Sequence, residues 1–325
     1  MKCIDTDRHR CAPRVPGASS RIARLACILI LAASAGASAA STLRVDASAP
    51  GVTQDGTDWS TAYLDLQSAI GAASEGDIIW VAEGTYVPSA AVDSGDARTK
   101  TFKLLRNMRI IGAFESGQTG AGNLADRDIF SFTSTLSGDL GTQNDPDDNA
   151  YHVVLFEDTG EDEDEFAQLN GFTVILGNAD DQSADANHEG GGVRVHRTGT
   201  GASPPAVEAR VVNCVFDGNV AEQGGAIAVV GESLNNRPHL QVVNTTIMGN
   251  EARYFGNDPA YGGGLYAHIA ELEVWNSLFV ENSSDSYGGG VSLSRGVDAG
   301  MTNCTRWPSL RGRVRRRVPA WCPGR

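Results

Sequence analysis

Four charged residues recur at one position of a repeated segment, and their spacing could do chemistry. Each follows an asparagine by three residues, in the order Asp181, Glu222, Arg253 and Asp285. If equivalent residues of successive repeats stack about 4.8 Å apart, as neighbouring strands do, adjacent acids of this column lie about 5 Å apart. That separation suits the carboxylate pair of a retaining glycosidase and would raise the pKa of one acid. The alternative is a solvated column beside a turn, with Arg253 screening its neighbours.

Two acidic stretches contain the hard oxygen ligands that calcium prefers. The candidate ligands are Asp145, Asp147 and Asp148 in the first stretch and Glu161, Glu163 and Glu165 in the second. Neither stretch has the glycine-punctuated spacing of a calcium loop, so the alternative is a solvated surface loop. We expect no cofactor other than this candidate calcium.

Other catalytic and binding patterns are missing from the sequence. The histidines at positions 152, 188, 196, 239 and 268 share no repeated column with acids or cysteines, so none is predicted to be a metal ligand or a base. The cysteines lack the spacing of a zinc site. The glycine clusters precede strands rather than helices, which excludes a phosphate-binding or dinucleotide-binding loop.

The elements that must position these residues are repeats of about thirty residues. Glycine clusters begin at Gly190, Gly224, Gly262 and Gly288, and most follow a segment of the form Asn-x-x-apolar-x-x-Asn. The leading asparagines of these segments, Asn213, Asn244, Asn276 and Asn303, are separated by 31, 32 and 27 residues. The trailing asparagines are Asn178, Asn219, Asn250 and Asn282. We predict that these trailing residues form a structural amide ladder along one turn.

Each repeat holds short apolar runs that are rich in β-branched and aromatic residues, which favours strands over helices. Such a unit cannot bury its own apolar face, so copies must stack on one another. The pattern therefore predicts an all-β fold, a parallel β-solenoid over residues 40–305. Cys214 and Cys304 should share one column three coils apart, which is too far for a disulfide.

A helix before the repeats is predicted to cover the first coil, within a cap at about residues 43–90. Ser60 or Thr61 can cap this helix, and Tyr63, Leu66, Ile70 and Ala73 make its apolar face. A solenoid needs such a lid because its first coil otherwise exposes the core and an unpaired edge. The alternative is a helix that binds a partner.

Both ends of the chain differ from its middle. Residues 1–39 combine basic residues, a short apolar run and Ala37-Ser-Ala39, which is typical of a secretory signal peptide; the alternative is an uncleaved anchor. Residues 306–325 hold seven arginines and no acid. The repeat breaks off at Arg306, where a phenylalanine is due, so we interpret this tail as disordered or translated out of frame. The alternative is a basic interaction tail.

The charge of the chain bounds its partners. Its formal net charge is −14, but the basic ends hide a middle, residues 40–305, with 13 basic and 38 acidic residues and a net charge of −25. A surface this acidic excludes a protein that neutralises nucleic-acid phosphates. The apolar run of the leader is too short for a membrane span, so we expect none in the mature chain.

Several motifs carry a family resemblance, among them Asp55-Gly-Thr-Asp-Trp59, Leu136-Ser-Gly-Asp139 and the Gly-Gly-Ala-Ile and Phe-x-x-Asn repeats. Together they resemble the secreted right-handed parallel β-helix proteins of environmental bacteria, which have a pectate-lyase-like fold. The last two motifs are also similar to those of chlamydial polymorphic outer-membrane proteins. The resemblance covers about residues 43–305 and implies a single-stranded right-handed β-helix. It also implies surface or extracellular display in a bacterium, in some members as adhesins and in others as relatives of polysaccharide lyases.

The sequence thus predicts a secreted or cell-surface protein, monomeric and without catalytic activity, that binds a glycan or a surface partner or has a structural role in the envelope. The alternative is a polysaccharide lyase or a glycoside hydrolase. A groove that gathers acids, basic residues and aromatic platforms would favour the alternative.

Overall fold

The structure is a computed structural model that describes residues 40–51, 53–105, 107–143, 145–157, 166–182, 187–197, 207–256 and 259–306. Within these ranges the chain forms 25 strands, one α-helix, α1 (Leu66–Ala72), and four 3-10 helices. The 3-10 helices span Trp59–Thr61, Ala97–Thr99, Leu124–Asp126 and Pro146–Asp148. The predicted signal peptide and residues 307–325 of the predicted tail lie outside the described residues.

The strands are short and follow one another throughout the described chain. The first thirteen are β1 (Thr42–Val45), β2 (Ile78–Ala82), β3 (Gly84–Tyr86), β4 (Phe102–Leu104), β5 (Arg109–Phe114), β6 (Ser134–Ser137), β7 (Val154–Glu157), β8 (Ala167–Asn170), β9 (Phe172–Ile175), β10 (Asn178–Ala179), β11 (Val193–His196), β12 (Glu208–Val212) and β13 (Val215–Asp217). The others are β14 (Val220–Ala221), β15 (Ile227–Val230), β16 (His239–Val243), β17 (Thr246–Met248), β18 (Glu251–Ala252), β19 (Leu265–His268), β20 (Glu271–Trp275), β21 (Leu278–Val280), β22 (Ser283–Ser284), β23 (Val291–Leu293), β24 (Asp298–Thr302) and β25 (Thr305–Arg306).

These strands pair in parallel to form four sheets. The long sheet has the order β1-β2-β5-β8-β12-β16-β20-β24, and the six-stranded sheet has the order β4-β7-β11-β15-β19-β23. The seven-stranded sheet runs β3-β6-β9-β13-β17-β21-β25, and the four-stranded sheet runs β10-β14-β18-β22. Neighbouring strands within each sheet therefore come from successive coils, which is the topology of a parallel β-helix and confirms the predicted fold class.

The core lies between the sheets and is built from columns of inward-facing apolar residues. In the long sheet Leu169, Val211, Val242 and Val274 occupy one register position, and all four are fully buried. Met301 follows them in the last coil and is 36% exposed. Burial of each column thus depends on the next coil, as expected for a unit that cannot bury its own apolar face.

Helix α1 packs its buried residues Leu66, Ala69 and Ile70 into the same core cluster as β1 and β2. The predicted capping helix is present, but its predicted N-cap is wrong. Asp65 caps α1 by accepting a hydrogen bond from the backbone N–H of Ser68 at 2.8 Å. The helix begins late because Tyr63 is held extended by backbone hydrogen bonds with Arg44 and Asp46.

Tight bends between strands require residues that tolerate a left-handed backbone. The leading asparagines Asn213, Asn244, Asn276 and Asn303 all have φ between 50° and 53°, a region that asparagine enters more readily than most residues. Gly224 begins a glycine cluster at φ +73°, and a side chain on the following Gly225 would overlap the carbonyl oxygen of Gly263. The glycines therefore allow neighbouring coils to approach closely.

The register also places the two described cysteines and the last residue of the repeat. Cys214 and Cys304 share one column three coils apart and are both free, as predicted. Burial raises the pKa of the Cys214 thiol to about 11, so this cysteine is an inert core residue. The backbone of Arg306 pairs with that of Phe279. This register confirms that Arg306 occupies the position at which the preceding coil has a phenylalanine. The frame-shift interpretation of the tail stays a prediction.

Candidate functional site

Three of the four residues in the predicted charged column share one register position at the turn beside the four-stranded sheet. The pairing of β14 with β18 and of β18 with β22 puts Glu222, Arg253 and Asp285 in one line. The fourth assignment is wrong. Asn178 pairs with Val220, so Asp180 rather than Asp181 lies opposite Glu222.

Each member of this column has a different partner. Asp180 forms an ion pair with Arg98 at 2.8 Å. Arg253 follows β18 and pairs with Glu251 of that strand at 2.8 Å rather than with Glu222. Asp285 accepts a hydrogen bond from the backbone N–H of Tyr254 at 3.0 Å.

The remaining acids at this turn are bound by side-chain amides. Glu222 is fully buried and accepts a hydrogen bond from the amide of Gln182 at 3.1 Å, and Asp181 accepts one from Asn187 at 3.0 Å. These contacts hold the turn together. They favour the structural interpretation of the column, while its catalytic role stays an untested prediction.

The asparagine ladder runs through three of its four predicted members. The side-chain amide of Asn219 donates to the Oδ1 atom of Asn250 at 3.0 Å, and Asn250 donates to Asn282 at 3.0 Å. Asn178 lies one position too late and instead donates to Pro146 and Asp180. Gly177 occupies the register position of the ladder asparagines in this coil. A side chain at that position would overlap the carbonyl oxygen of Gly191.

The first predicted calcium stretch forms a tight turn. Asp145 caps the 3-10 helix at Pro146–Asp148 by accepting from the backbone N–H of Asp147 at 3.1 Å, and Asp148 accepts from that of Thr142 at 2.6 Å. The second stretch, with Glu161, Glu163 and Glu165, lies outside the described residues. Across the part of the chain that is described, no three acids, histidines or cysteines are grouped as metal ligands. Calcium binding remains an untested prediction.

An acidic cleft of about 610 Å³ lies on the outer face of the long sheet, over its last four strands. The polar side chains that line it are Glu208, His239, Gln241, Glu271, Glu273 and Asp298. Glu208, His239, Glu271 and Asp298 occupy one register position on successive coils, and Gln241 and Glu273 belong to the neighbouring outward column. The strands alternate inward and outward residues, so this face projects its polar groups along the axis of the coils.

A hydrogen-bonded network connects three coils across the cleft. The Nδ1 atom of His239 lies 2.8 Å from Glu208, and its Nε2 atom lies 3.5 Å from Glu273. The amide of Gln241 donates to Glu273 at 2.9 Å and accepts from Arg210 at 2.6 Å. The contact with Glu208, opposed by burial, raises the pKa of His239 above its ordinary value, and Glu273 contributes in the same direction.

This cleft overturns one sequence-based inference. The prediction that His239 shares no repeated column with acids is wrong, because His239 lies between Glu208 and Glu271 in the long sheet. The repeat itself contains the signal, because the residues five positions before each leading asparagine are Glu208, His239, Glu271 and Asp298. The charged column that follows the trailing asparagines lies beside the four-stranded sheet, so it gives no sign of the cleft on the long sheet.

The six-stranded sheet carries a second polar face with aromatic residues. Glu189 and Arg194 form a buried ion pair at 3.2 Å. The ring of Tyr261 stacks on Tyr287 at a centroid distance of 5.4 Å and on Tyr266 at 5.6 Å. The ring of Tyr261 thus packs against two other tyrosine rings, and these contacts give the stack a structural role.

Comparison with known proteins gives one short match. Residues 213–229 match the Chlamydia polymorphic membrane protein repeat. This segment spans one leading asparagine, one trailing asparagine and one glycine cluster, and thus one bend and one close approach of the β-helix. No curated protein and no solved structure matches the chain. The fold and this match together define a parallel β-helix with a repeat similar to that of chlamydial membrane proteins.

The described residues include no helix long and apolar enough to cross a membrane.

Proposed function

We propose that this protein is displayed at a bacterial surface or secreted, and that it binds a glycan or a surface partner through the acidic cleft of the long sheet. The match to a membrane-protein repeat supports the surface location. The predicted signal peptide agrees with export.

The observation that carries the binding proposal is the network of Glu208, His239, Gln241 and Glu273 on one outward face. Outward-facing side chains of a sheet are normally solvated one by one. Here the side chains are joined by hydrogen bonds and ion pairs, which hold their carboxylate and amide oxygens in position. A few fixed polar groups in a concave site are what orient a ligand. The residues that line the cleft come from four successive strands, so an extended polymer could contact several coils.

A glycan array probed with the full chain tests the proposal. The double variant Glu273→Gln, Asp298→Asn removes two carboxylates from the cleft. The matched control Asp217→Asn removes an exposed carboxylate from the seven-stranded sheet. We expect the parent and the control to bind the same glycans and the double variant to lose them. Equal binding by all three proteins would exclude the cleft, and an array without any bound glycan would contradict the glycan part of the proposal.

A second candidate function is glycan cleavage in the same cleft. Glu271 and Asp298 are direct partners on adjacent strands, so their backbones lie about 4.8 Å apart, a spacing compatible with a retaining carboxylate pair. Glu271 also forms an ion pair with Arg237 at 2.5 Å. Assays for reducing sugars and unsaturated products on the glycans bound in the array test this candidate. If neither product forms, it is eliminated.

A further inference from the structure

We propose that Glu222 and His188 bind a divalent transition-metal ion such as zinc inside the turn beside the four-stranded sheet. The inference goes beyond the proposed function, because neither residue lines the acidic cleft. It follows from two buried polar atoms on adjacent coils that have no hydrogen-bond partner among the described residues.

Glu222 supplies the first of these atoms, on a carboxylate that is fully buried. Its Oε2 atom accepts a hydrogen bond from the side-chain amide of Gln182 at 3.1 Å, whereas its Oε1 atom is buried without a partner in the described part of the chain. The cation in the same column, Arg253, pairs with Glu251 instead. An ionised carboxylate that leaves water is normally paired with a cation or coordinates a metal ion. No residue of the described ranges supplies that positive charge to Glu222.

His188 supplies the second atom and lies next to Glu222 in the fold. Gln223 pairs in parallel with Glu189, so the residues that precede them, Glu222 and His188, lie side by side on adjacent coils. The backbone N–H of Glu222 donates to the carbonyl oxygen of His188 at 3.1 Å. The Nδ1 atom of the His188 ring is buried and has no hydrogen-bond partner within the described residues. Equivalent residues of paired strands are about 4.8 Å apart, close enough for both side chains to reach one ion.

The two atoms suit a particular class of ion. An imidazole nitrogen without its proton and a carboxylate oxygen both bind zinc, at about 2.0–2.2 Å. Magnesium and calcium prefer oxygen ligands alone, so the imidazole favours zinc and the other late first-row metals. A water molecule between the two atoms would satisfy their hydrogen bonds but would bring no positive charge to the buried carboxylate. A metal ion does both.

Asp181 is the candidate third ligand. Its carboxylate accepts a hydrogen bond at 3.0 Å from the side-chain amide of Asn187, the residue before His188. The described side chains do not already group three acids, histidines or cysteines as metal ligands, so the ion must draw Asp181 inward or complete its shell with water. In both cases the ion ties the segment before β11 to the coil that contains β14.

Zinc binding to the full chain tests the site. The protein is freed of metal with a chelator and dialysed, and zinc chloride is then titrated in by calorimetry, with calcium chloride as the comparison. The matched control His239→Gln removes another imidazole that lies beside a glutamate. We expect the parent and this control to bind zinc equally. The variants Glu222→Gln and His188→Gln should each lose at least about tenfold in zinc affinity, because a direct ligand is removed.

Thermal melting gives a second measurement and shows whether Glu222→Gln folds. In chelator this variant should be at least as stable as the parent, since an amide replaces an unpaired buried charge. Zinc should raise the melting temperature of the parent and of His239→Gln, and that of Glu222→Gln by less, because a ligand stabilises only the folded protein that binds it. A parent that does not respond to zinc, equal zinc affinity in all four proteins, or tighter binding of calcium than of zinc would each overturn the proposal.

Discussion

The side-chain amide of Asn219 donates a hydrogen bond to the Oδ1 atom of Asn250 on the next coil, at 3.0 Å. The same oxygen accepts the backbone N–H of Asn219, also at 3.0 Å. One asparagine thus satisfies two donors of the preceding coil, and Asn282 repeats the arrangement for Asn250. The amide ladder therefore supplies hydrogen-bond acceptors for buried backbone N–H groups at this bend.

Replacing Asn250 with alanine should lower the free energy of unfolding by about 3 kcal/mol, because the buried groups of Asn219 and the carbonyls of Phe216 and Met248 lose their partner. Urea denaturation measures the change. The exposed turn residue Asn235 provides the control, and Asn235→Ala should alter stability by less than about 0.5 kcal/mol. Similar losses in both variants would mean that the ladder is not a source of stability.

Replacing Gly263 with alanine should destabilise the protein by about 3 kcal/mol, because the added methyl group would overlap the carbonyl oxygens of Ser283 and Gly289 on the next coil. The control Gly71→Ala adds a methyl group in α1 with no atom within 4 Å. That variant should be stabilised by about 0.5–1 kcal/mol, the usual gain from removing a glycine inside a helix. Thermal melting of both proteins gives the comparison, and the same sign of change in both would contradict the close approach of the coils.

Stability should fall at alkaline pH through His239. Its pKa in the folded protein is raised, chiefly by Glu208, so its contribution is complete below the ordinary histidine value of about 6.5 and is lost as pH rises through the folded value. Urea denaturation at pH 6 and at pH 9 measures this loss. The Glu208→Gln variant should show a smaller loss over the same interval. An unchanged pH dependence in that variant would exclude the ion pair as the cause.

His196 should act in the opposite direction. Burial, aided by Arg194, lowers its pKa to about 4. Below pH 6.5 the unfolded chain takes up a proton at this position and the folded protein does not, so stability falls between about pH 6.5 and pH 4. The variant His196→Gln cannot take up that proton, and the difference in unfolding free energy between parent and variant should change over this interval. Parallel profiles would show that His196 stays accessible to protons.

Repeated motifs predicted the fold well because the coils obey one register. The intervals between leading asparagines put Cys214 and Cys304 in one column, and the structure has them there. The same arithmetic was wrong by one residue at Asn178 and Asp181, because that coil has a glycine where the others have the ladder asparagine. The spacing of the asparagines does not reveal this shift of one residue. Its cause is the close approach of Gly191 to Gly177, which only the structure shows.

The acidic cleft was harder to predict for a chemical reason. Its column contains Glu208, His239, Glu271 and Asp298, which are different residue types and form no repeated motif. The column of leading asparagines repeats one residue type because each of these coils bends in the same way at that position. A ligand site needs several different groups, so its residues are recognised only once the register brings them onto one face.

Carboxylate footprinting with and without a bound glycan tests the role of the cleft most directly. The full chain is labelled with a carbodiimide, and modification at each acid is read by mass spectrometry. If the ligand occupies the cleft, Glu273 and Asp298 should be protected, while the exposed acids Asp217 and Asp285 should react as before. Protection of Asp217 or Asp285 with unchanged labelling of Glu273 and Asp298 would contradict the proposed site.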